Sequence, residues 1–174
     1  SLALQNIFCL HASAVEHNNK AILFLGKSGV GKSTLAEYLA INSNYKIKRI
    51  ADDIVPVKIE NSIAYTLPHF PQLKLSNDIQ YSDDSPSKLS TSAIYILEKY
   101  NRRKSVEIKT LKSAENMLTL ISNTVASRLY DKELNQKHLD FCSHVVGNVA
   151  FNEITYPHNK QTLTLVENLI IENS

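Results

Sequence analysis

The sequence predicts an α/β fold, and three observations predict it. Short apolar runs with strand character recur from Ile7 to Tyr156, a glycine-rich loop joins one of them to a helix-forming run, and two long helical patterns lie toward the C-terminus. The strands outnumber those of a simple doubly wound fold.

Each element has its own signal. Ile7 to Val15 reads as a strand, Glu16 to Lys20 (EHNNK) as a turn and Ala21 to Leu25 as a second strand, together a hairpin. Lys32 to about Asn42 reads as a helix, stopped by the polar stretch Asn42 to Asn44. Lys46 to Ala51 is a strand ending in Asp52 and Asp53, and Ile54–Ile59 with Ser62–Thr66 forms a hairpin about Glu60-Asn61. Leu67 to Ser90 carries Pro68, Pro71 and Pro86 among serines and aspartates and reads as a long ordered loop near the site. Within it, His69 between two prolines reads as part of a rigid turn. Ala93–Lys99 and Val106–Leu111 return as strands. Ser113 opens a helix to about Ile121 with an S-x-x-N form of the capping pattern. Leu134–Val149 reads as a helix whose Leu134, Leu139, Phe141, Val145 and Val149 face the core. Phe151–Tyr156 is a strand and Gln161–Ile171 a closing helix.

At 174 residues the chain fits one domain, 1–174, with a sizeable core. A net charge of +2 without a basic stripe speaks against a nucleic-acid partner. The basic run Lys99–Lys104 (KYNRRK) reads as a solvated turn. Cys9 and Cys142 lie in apolar stretches and read as buried thiols of a reducing cytoplasm. No apolar run of about eighteen residues is present, so no membrane partner is expected, and no signal peptide is recognised. The first residue is Ser1, which suggests a processed product or a piece of a longer chain and makes one domain a lower bound.

Residues 26–33 read GKSGVGKS, the spacing of a phosphate-binding P-loop between a strand and a helix. Gly26, Gly29 and Gly31 let the backbone turn tightly, so that the N–H groups of Lys27, Ser28, Val30 and the helix start converge on one point. Lys32 reaches the β- and γ-phosphates, Ser33 can ligate Mg²⁺, and Thr34 follows on the first helical turn. The chain is therefore expected to bind a nucleoside triphosphate.

Asp52 and Asp53 end the next strand, 20 positions after Lys32 for Asp52, which leaves room for one helix and one return strand. Two adjacent carboxylates are costly unless a cation or a proton offsets them. One can stay ionised near Mg²⁺ while the other accepts a proton from an incoming hydroxyl. An Asp-Asp turn between strands is the plain alternative. His11 lies in the apolar run LHASAV, where a lone histidine is ordinarily a core or edge residue. His138, His144 and His158 are too dispersed for a metal site.

Taken in order, LHASAV, GKSGVGKST and RIADDIV resemble the core of the HPr kinase/phosphorylase family. The resemblance covers Ile7 to about Val57 and runs more loosely through LPHFPQLKL and the C-terminal helices, where it is similar to short HPr-kinase-like serine kinases of peptide biosynthetic clusters. It implies a strongly curved mixed sheet, ATP and Mg²⁺, and γ-phosphoryl transfer to a serine hydroxyl. It implies Asp52 as proton acceptor, Asp53 by the metal and the acceptor, and His11 beside Asp52, touching the transferred group or orienting the serine. Lys32 and Ser33 would hold the phosphates and Mg²⁺. The family's Glu-bearing, glycine-containing loop after the Asp pair is replaced by the proline-rich segment, so a serine-bearing peptide or protein other than HPr is the expected partner. Arg128 stands as the candidate phosphate arginine. Relatives are often multimeric, so a homo-oligomer is compatible. A small-molecule kinase, with a closed pocket of Tyr65, His69 and Phe70, and a non-catalytic ATP-binding module are the alternatives.

Overall fold

The structure is a computed structural model that describes residues 2–68, 86–98, 105–157 and 159–173. Nine strands and four α-helices follow one another among the described residues. They are β1 (Ile7–Leu10), β2 (Ser13–His17), β3 (Lys20–Leu25), α1 (Lys32–Asn42), β4 (Lys48–Ala51), β5 (Val55–Glu60), β6 (Ile63–Thr66), β7 (Leu89–Leu97), β8 (Glu107–Thr110), α2 (Ser113–Asn123), α3 (Lys132–Asn148), β9 (Ala150–Thr155) and α4 (Lys160–Glu172).

Two tight turns set the hairpins. Asn18-Asn19 joins β2 to β3 and Asn61-Ser62 joins β5 to β6, all four residues with positive φ. Such paired left-handed residues match the twist of the flanking strands, and asparagine tolerates them well. The second turn therefore falls one residue later than the expected Glu60-Asn61.

The strands form one mixed sheet in the order β1-β5-β6-β7-β3-β2-β4, with β3 parallel to β7 and antiparallel to β2. β7 forks the sheet. Its first residues pair with β6 (Leu89 with Thr66), while Ala93 to Leu97 pair in parallel with β9, which carries β8. The two ends of the path are covalently close: only His11 and Ala12 separate β1 from β2, and only residues 52–54 separate β4 from β5. Because β1-β5 lies at one end and β2-β4 at the other, these short links require the sheet to curl until its ends meet. This is the expected curved mixed α/β sheet.

The expected single strand Ile7–Val15 is thus two. At Leu10 the chain changes neighbours, from β5 to the slot between β3 and β4, and the His11 N–H donates to Asn123 O at 2.7 Å instead of to a ladder partner. Other elements shift by a few residues. β7 starts at Leu89 rather than Ala93, inside the stretch expected as loop. α3 starts at Lys132 because the Asp131 carboxylate accepts from Leu134 N at 2.8 Å, a side-chain N-cap. At α2 the capping contact comes from Glu115, which accepts from Lys112 N, rather than from Ser113. Residues 69–85, with His69 and Phe70, and the basic run 99–104 lie outside the described residues, as does His158.

Both faces of the central strands are covered. Leu23, Leu25, Ile94 and Ile96 pack with Leu120, Phe141 and Val145 of α2 and α3. Ile22, Phe24 and Tyr95 pack with Leu35, Leu39, Val166 and Ile170 of α1 and α4. Burial on both sides explains why β3 reads as a continuous apolar run rather than an alternating one. Leu139, expected in the core, is 43% exposed. Cys9 and Cys142 are free thiols, half-buried and buried, and burial raises both, Cys142 to about 12.

His138 joins α3 to this core. It is buried between Phe8 and Tyr130, with Nε2 at 2.8 Å from Thr124 Oγ1. Burial lowers its pKa, so the unfolded chain binds a proton more readily than the folded one. The stability that His138 contributes is present above the unfolded value, about 6.5, and is lost as pH falls through the lower folded value. We expect the melting temperature to fall more steeply between pH 7.5 and 5 in the parent than in His138→Gln. Parallel profiles by differential scanning calorimetry would contradict this.

Candidate active site

The P-loop grows from the end of β3. Gly26 takes φ 139°, and a Cβ there would lie 2.5 Å from Leu97 O of the neighbouring strand, so only glycine lets the loop leave between β3 and β7. Lys27, Ser28 and Gly29 are exposed, Val30 N donates to Lys27 O at 3.3 Å, and α1 begins on Lys32 with Leu35 N donating to Gly31 O. Unpaired N–H groups of the first helical turn thus face the loop. Lys32 is 6% exposed, and its ammonium donates to Gly26 O at 2.8 Å and Lys27 O at 3.2 Å, curling back over the loop. Burial lowers its pKa, opposed by the charges of Asp53 and Asp52.

The Asp pair sits where one long ladder is interrupted. Leu10 faces Val55 on one side of the interruption and Ala14 faces Ala51 on the other. The three residues His11–Ser13 therefore lie across from the three residues Asp52–Ile54, and the register is the same before and after. Asp53 takes φ 63°, a conformation aspartate tolerates better than most residues, and Ile54 N donates to Asp52 O at 2.8 Å to close the turn. His11 Nδ1 lies 3.2 Å from Asp53 O. A carbonyl can only accept, so Nδ1 carries the proton and, in the neutral ring, Nε2 keeps a lone pair.

Asp52 is the hub. Its Oδ1 accepts from Ser33 Oγ at 2.9 Å and from Ser13 Oγ at 2.5 Å, and its Oδ2 accepts from Arg49 Nη2 at 2.6 Å. The pair is deeply buried, with side-chain exposures of 4% for Arg49 and 11% for Asp52. Val15 faces Arg49 while Ala14 faces Ala51, so Ile50 is an extra residue in β4, a bulge. The bulge breaks the strand's alternation and lets side chains three apart meet on one side. Asp53 is half-buried, and its carboxylate has no hydrogen bond or ion pair among the described residues.

His11, Lys32, Ser33, Asp52 and Asp53 thus converge. Thr34 lies exposed on the first turn of α1. Arg128 is exposed on a 3₁₀ turn, Ser127–Leu129, and no hydrogen bond or ion pair ties it to the P-loop or the Asp pair. Tyr65 lies on β6 with Lys88 Nζ 4.4 Å over its ring. Ser13 and Arg49 are the site residues that sequence reasoning missed. Ser13 could have been found two residues after His11, but Arg49 depends on the bulge and leaves no sequence signal. Ser33, Asp52 and Asp53 supply hard oxygen donors of the kind Mg²⁺ takes, one or two carboxylates completed by phosphate and water. Among the described residues no group of three or more His, Cys, Asp or Glu could hold a metal by itself.

No family model and no curated protein matches the chain. Among solved structures, it is similar to the Hpr(Ser) kinase/phosphatase from Coxiella burnetii, at 13% identity over 94% of each chain with a TM-score of 0.47. A similarity of that degree says nothing about activity. No described helix is long and apolar enough to cross a membrane.

Removing one partner of a buried pair leaves an uncompensated charge and costs about 3–5 kcal/mol. We expect Arg49→Met to destabilise the protein by an amount in that range. Adding Asp52→Asn should recover part of the loss, since the orphaned charge is then gone. Urea denaturation of both variants checks this; a double variant less stable than Arg49→Met would contradict the pairing.

Proposed function

We propose that this chain is an ATP- and Mg²⁺-dependent kinase that transfers the γ-phosphoryl group to a serine hydroxyl of a peptide or protein. What supports the reading most is one contact: Ser33 of the P-loop donates to Asp52 at 2.9 Å, so a strand-end carboxylate meets the cradle's own hydroxyl. The similarity of LHASAV, GKSGVGKST and RIADDIV to the HPr kinase/phosphorylase pattern supports the serine acceptor and the nucleotide.

The contacts favour a particular division of labour. Both Asp52 oxygens are engaged by Ser13, Ser33 and Arg49, so each already has a donor where an incoming hydroxyl would have to approach. Its bond to Ser33 suits a carboxylate that holds the metal side of the site. Asp53 carries an uncommitted carboxylate whose charge acts on Lys32, so it is the better proton acceptor. This reverses the roles expected from the family resemblance, Asp52 as acceptor and Asp53 by the metal. Bound Mg²⁺ would neutralise charge on the β- and γ-phosphate oxygens.

In the proposed step the serine oxygen bonds to the γ-phosphorus as the bond to the β–γ bridging oxygen breaks. The serine proton passes to Asp53 and ADP leaves. Lys32 moves from the loop carbonyls to the phosphates, exchanging two neutral acceptors for an anion. His11, held by Asp53 O, presents Nε2 to orient the incoming hydroxyl.

The two carboxylates should therefore fail differently. Asp53→Asn is expected to lower transfer to a serine-peptide library by about 10² to 10⁴ while Mg–ATP binding stays near the parent value. Asp52→Asn is expected to weaken Mg–ATP binding itself. Calorimetry with mass spectrometry of the peptide products separates the two. Near-normal transfer by Asp53→Asn would return the base role to Asp52, and absence of any ATP binding by the parent would end the kinase reading.

A further inference from the structure

Ser13 is the one polar residue in the run Ala12–Val15, and all four residues are fully buried. It lies on β2 across from Phe24 of β3. A hydroxyl in such surroundings is costly unless it is bonded, and its proton goes to Asp52 Oδ1 at 2.5 Å. No step of the phosphoryl transfer uses that bond directly. We infer that Ser13 is a positioning residue, a role that rests on the kinase reading above. It holds the Asp52 carboxylate in the plane in which it meets Ser33, and so sets how tightly that pair takes the nucleotide's divalent cation.

A carboxylate needs two anchors because it can turn. The terminal torsion of aspartate is broad and roughly two-fold, so a single contact sets its plane only loosely. Arg49, from β4, holds Oδ2 at 2.6 Å, and Ser13, from β2, holds Oδ1. Ser13 and Asp52 lie one position beyond the Ala14–Ala51 pair, as cross-strand neighbours would. The sheet itself therefore delivers the second anchor. His11, two residues before Ser13, approaches the Asp53 carbonyl at 3.2 Å, so one short segment grips both aspartates.

The chemistry of Ser33 shows what the anchoring is for. Its hydroxyl donates to the same Oδ1 at 2.9 Å, beside the Ser13 proton. A serine hydroxyl carries one proton and two lone pairs, so a proton given to Asp52 leaves the lone pairs for a cation. A carboxylate free to turn would release that proton toward the side from which a cation must come. Partners that stand behind metal-binding groups are typically worth 10- to 100-fold in metal affinity.

Calorimetry on the full chain tests this with a non-hydrolysable ATP analogue, once with Mn²⁺ and once with a chelator in its place. The ratio of the two affinities is the metal's share of binding. We expect Ser13→Ala to weaken the analogue about tenfold or more with Mn²⁺ and less than about twofold without it. Ser13→Cys keeps nearly the same shape, loses the strong O–H donor and should show the same pattern. In an Asp52→Asn background Ser13→Ala should cost little more, since its effect passes through that carboxylate. An unchanged metal share in both variants would overturn the inference and leave the P-loop reading standing. Equal losses with and without Mn²⁺ would overturn it too, because Ser13 would then be holding the loop as a whole. So would losses fully additive with Asp52→Asn. Failure of both variants to fold would make Ser13 a packing residue and end the inference. A parent that binds the analogue under neither condition would end the inference and the P-loop reading together.

Discussion

One buried carboxylate ties together parts of the chain far apart in sequence. Asp52 takes a hydroxyl from β2, a hydroxyl from the P-loop helix and a guanidinium from β4. Burying a charge costs several kcal/mol unless partners replace its hydration, and here three do. The bonds are directional, so they fix how β4 and α1 stand against β2 as well as offsetting the charge. The P-loop's position relative to the strand ends depends on them.

That hub lies where the sheet's regular pairing fails. From Leu10 to Ala14 and from Ala51 to Val55 the chain could have continued one antiparallel ladder, since the register on both sides agrees. Instead Asp53 adopts a left-handed backbone and His11 gives its N–H to α2. Backbone groups released from a ladder must find other partners, and Asn123 and Asp52 supply them locally. The cost of the interruption is offset by covered faces on either side of the sheet. What is gained is a set of side chains at the lip of the P-loop instead of stacked within a strand pair.

Much of this was legible in the chain. GKSGVGKS between an apolar run and a helix pattern announces its own geometry, because each glycine answers a local backbone demand. The Asn-rich hairpin turn and the heavily apolar β3 are likewise local signals. Asp52 and Asp53 were legible as a pair through their distance from Lys32. The break at His11 was not, because LHASAV is a good strand by every local measure and splits only through pairing with β3, β4 and β5. Nor was Arg49, whose meeting with Asp52 depends on the bulge at Ile50. Sequence reasoning found what the backbone decides locally and missed what tertiary pairing decides.

The most direct test is a crystal structure with Mg²⁺ and a non-hydrolysable ATP analogue. The account predicts the terminal phosphate between Lys32 Nζ and the Asp53 carboxylate, with Ser33 and Asp52 as the residues that would hold the metal. A triphosphate bound away from the loop, or a metal remote from both Asp52 and Ser33, would contradict it.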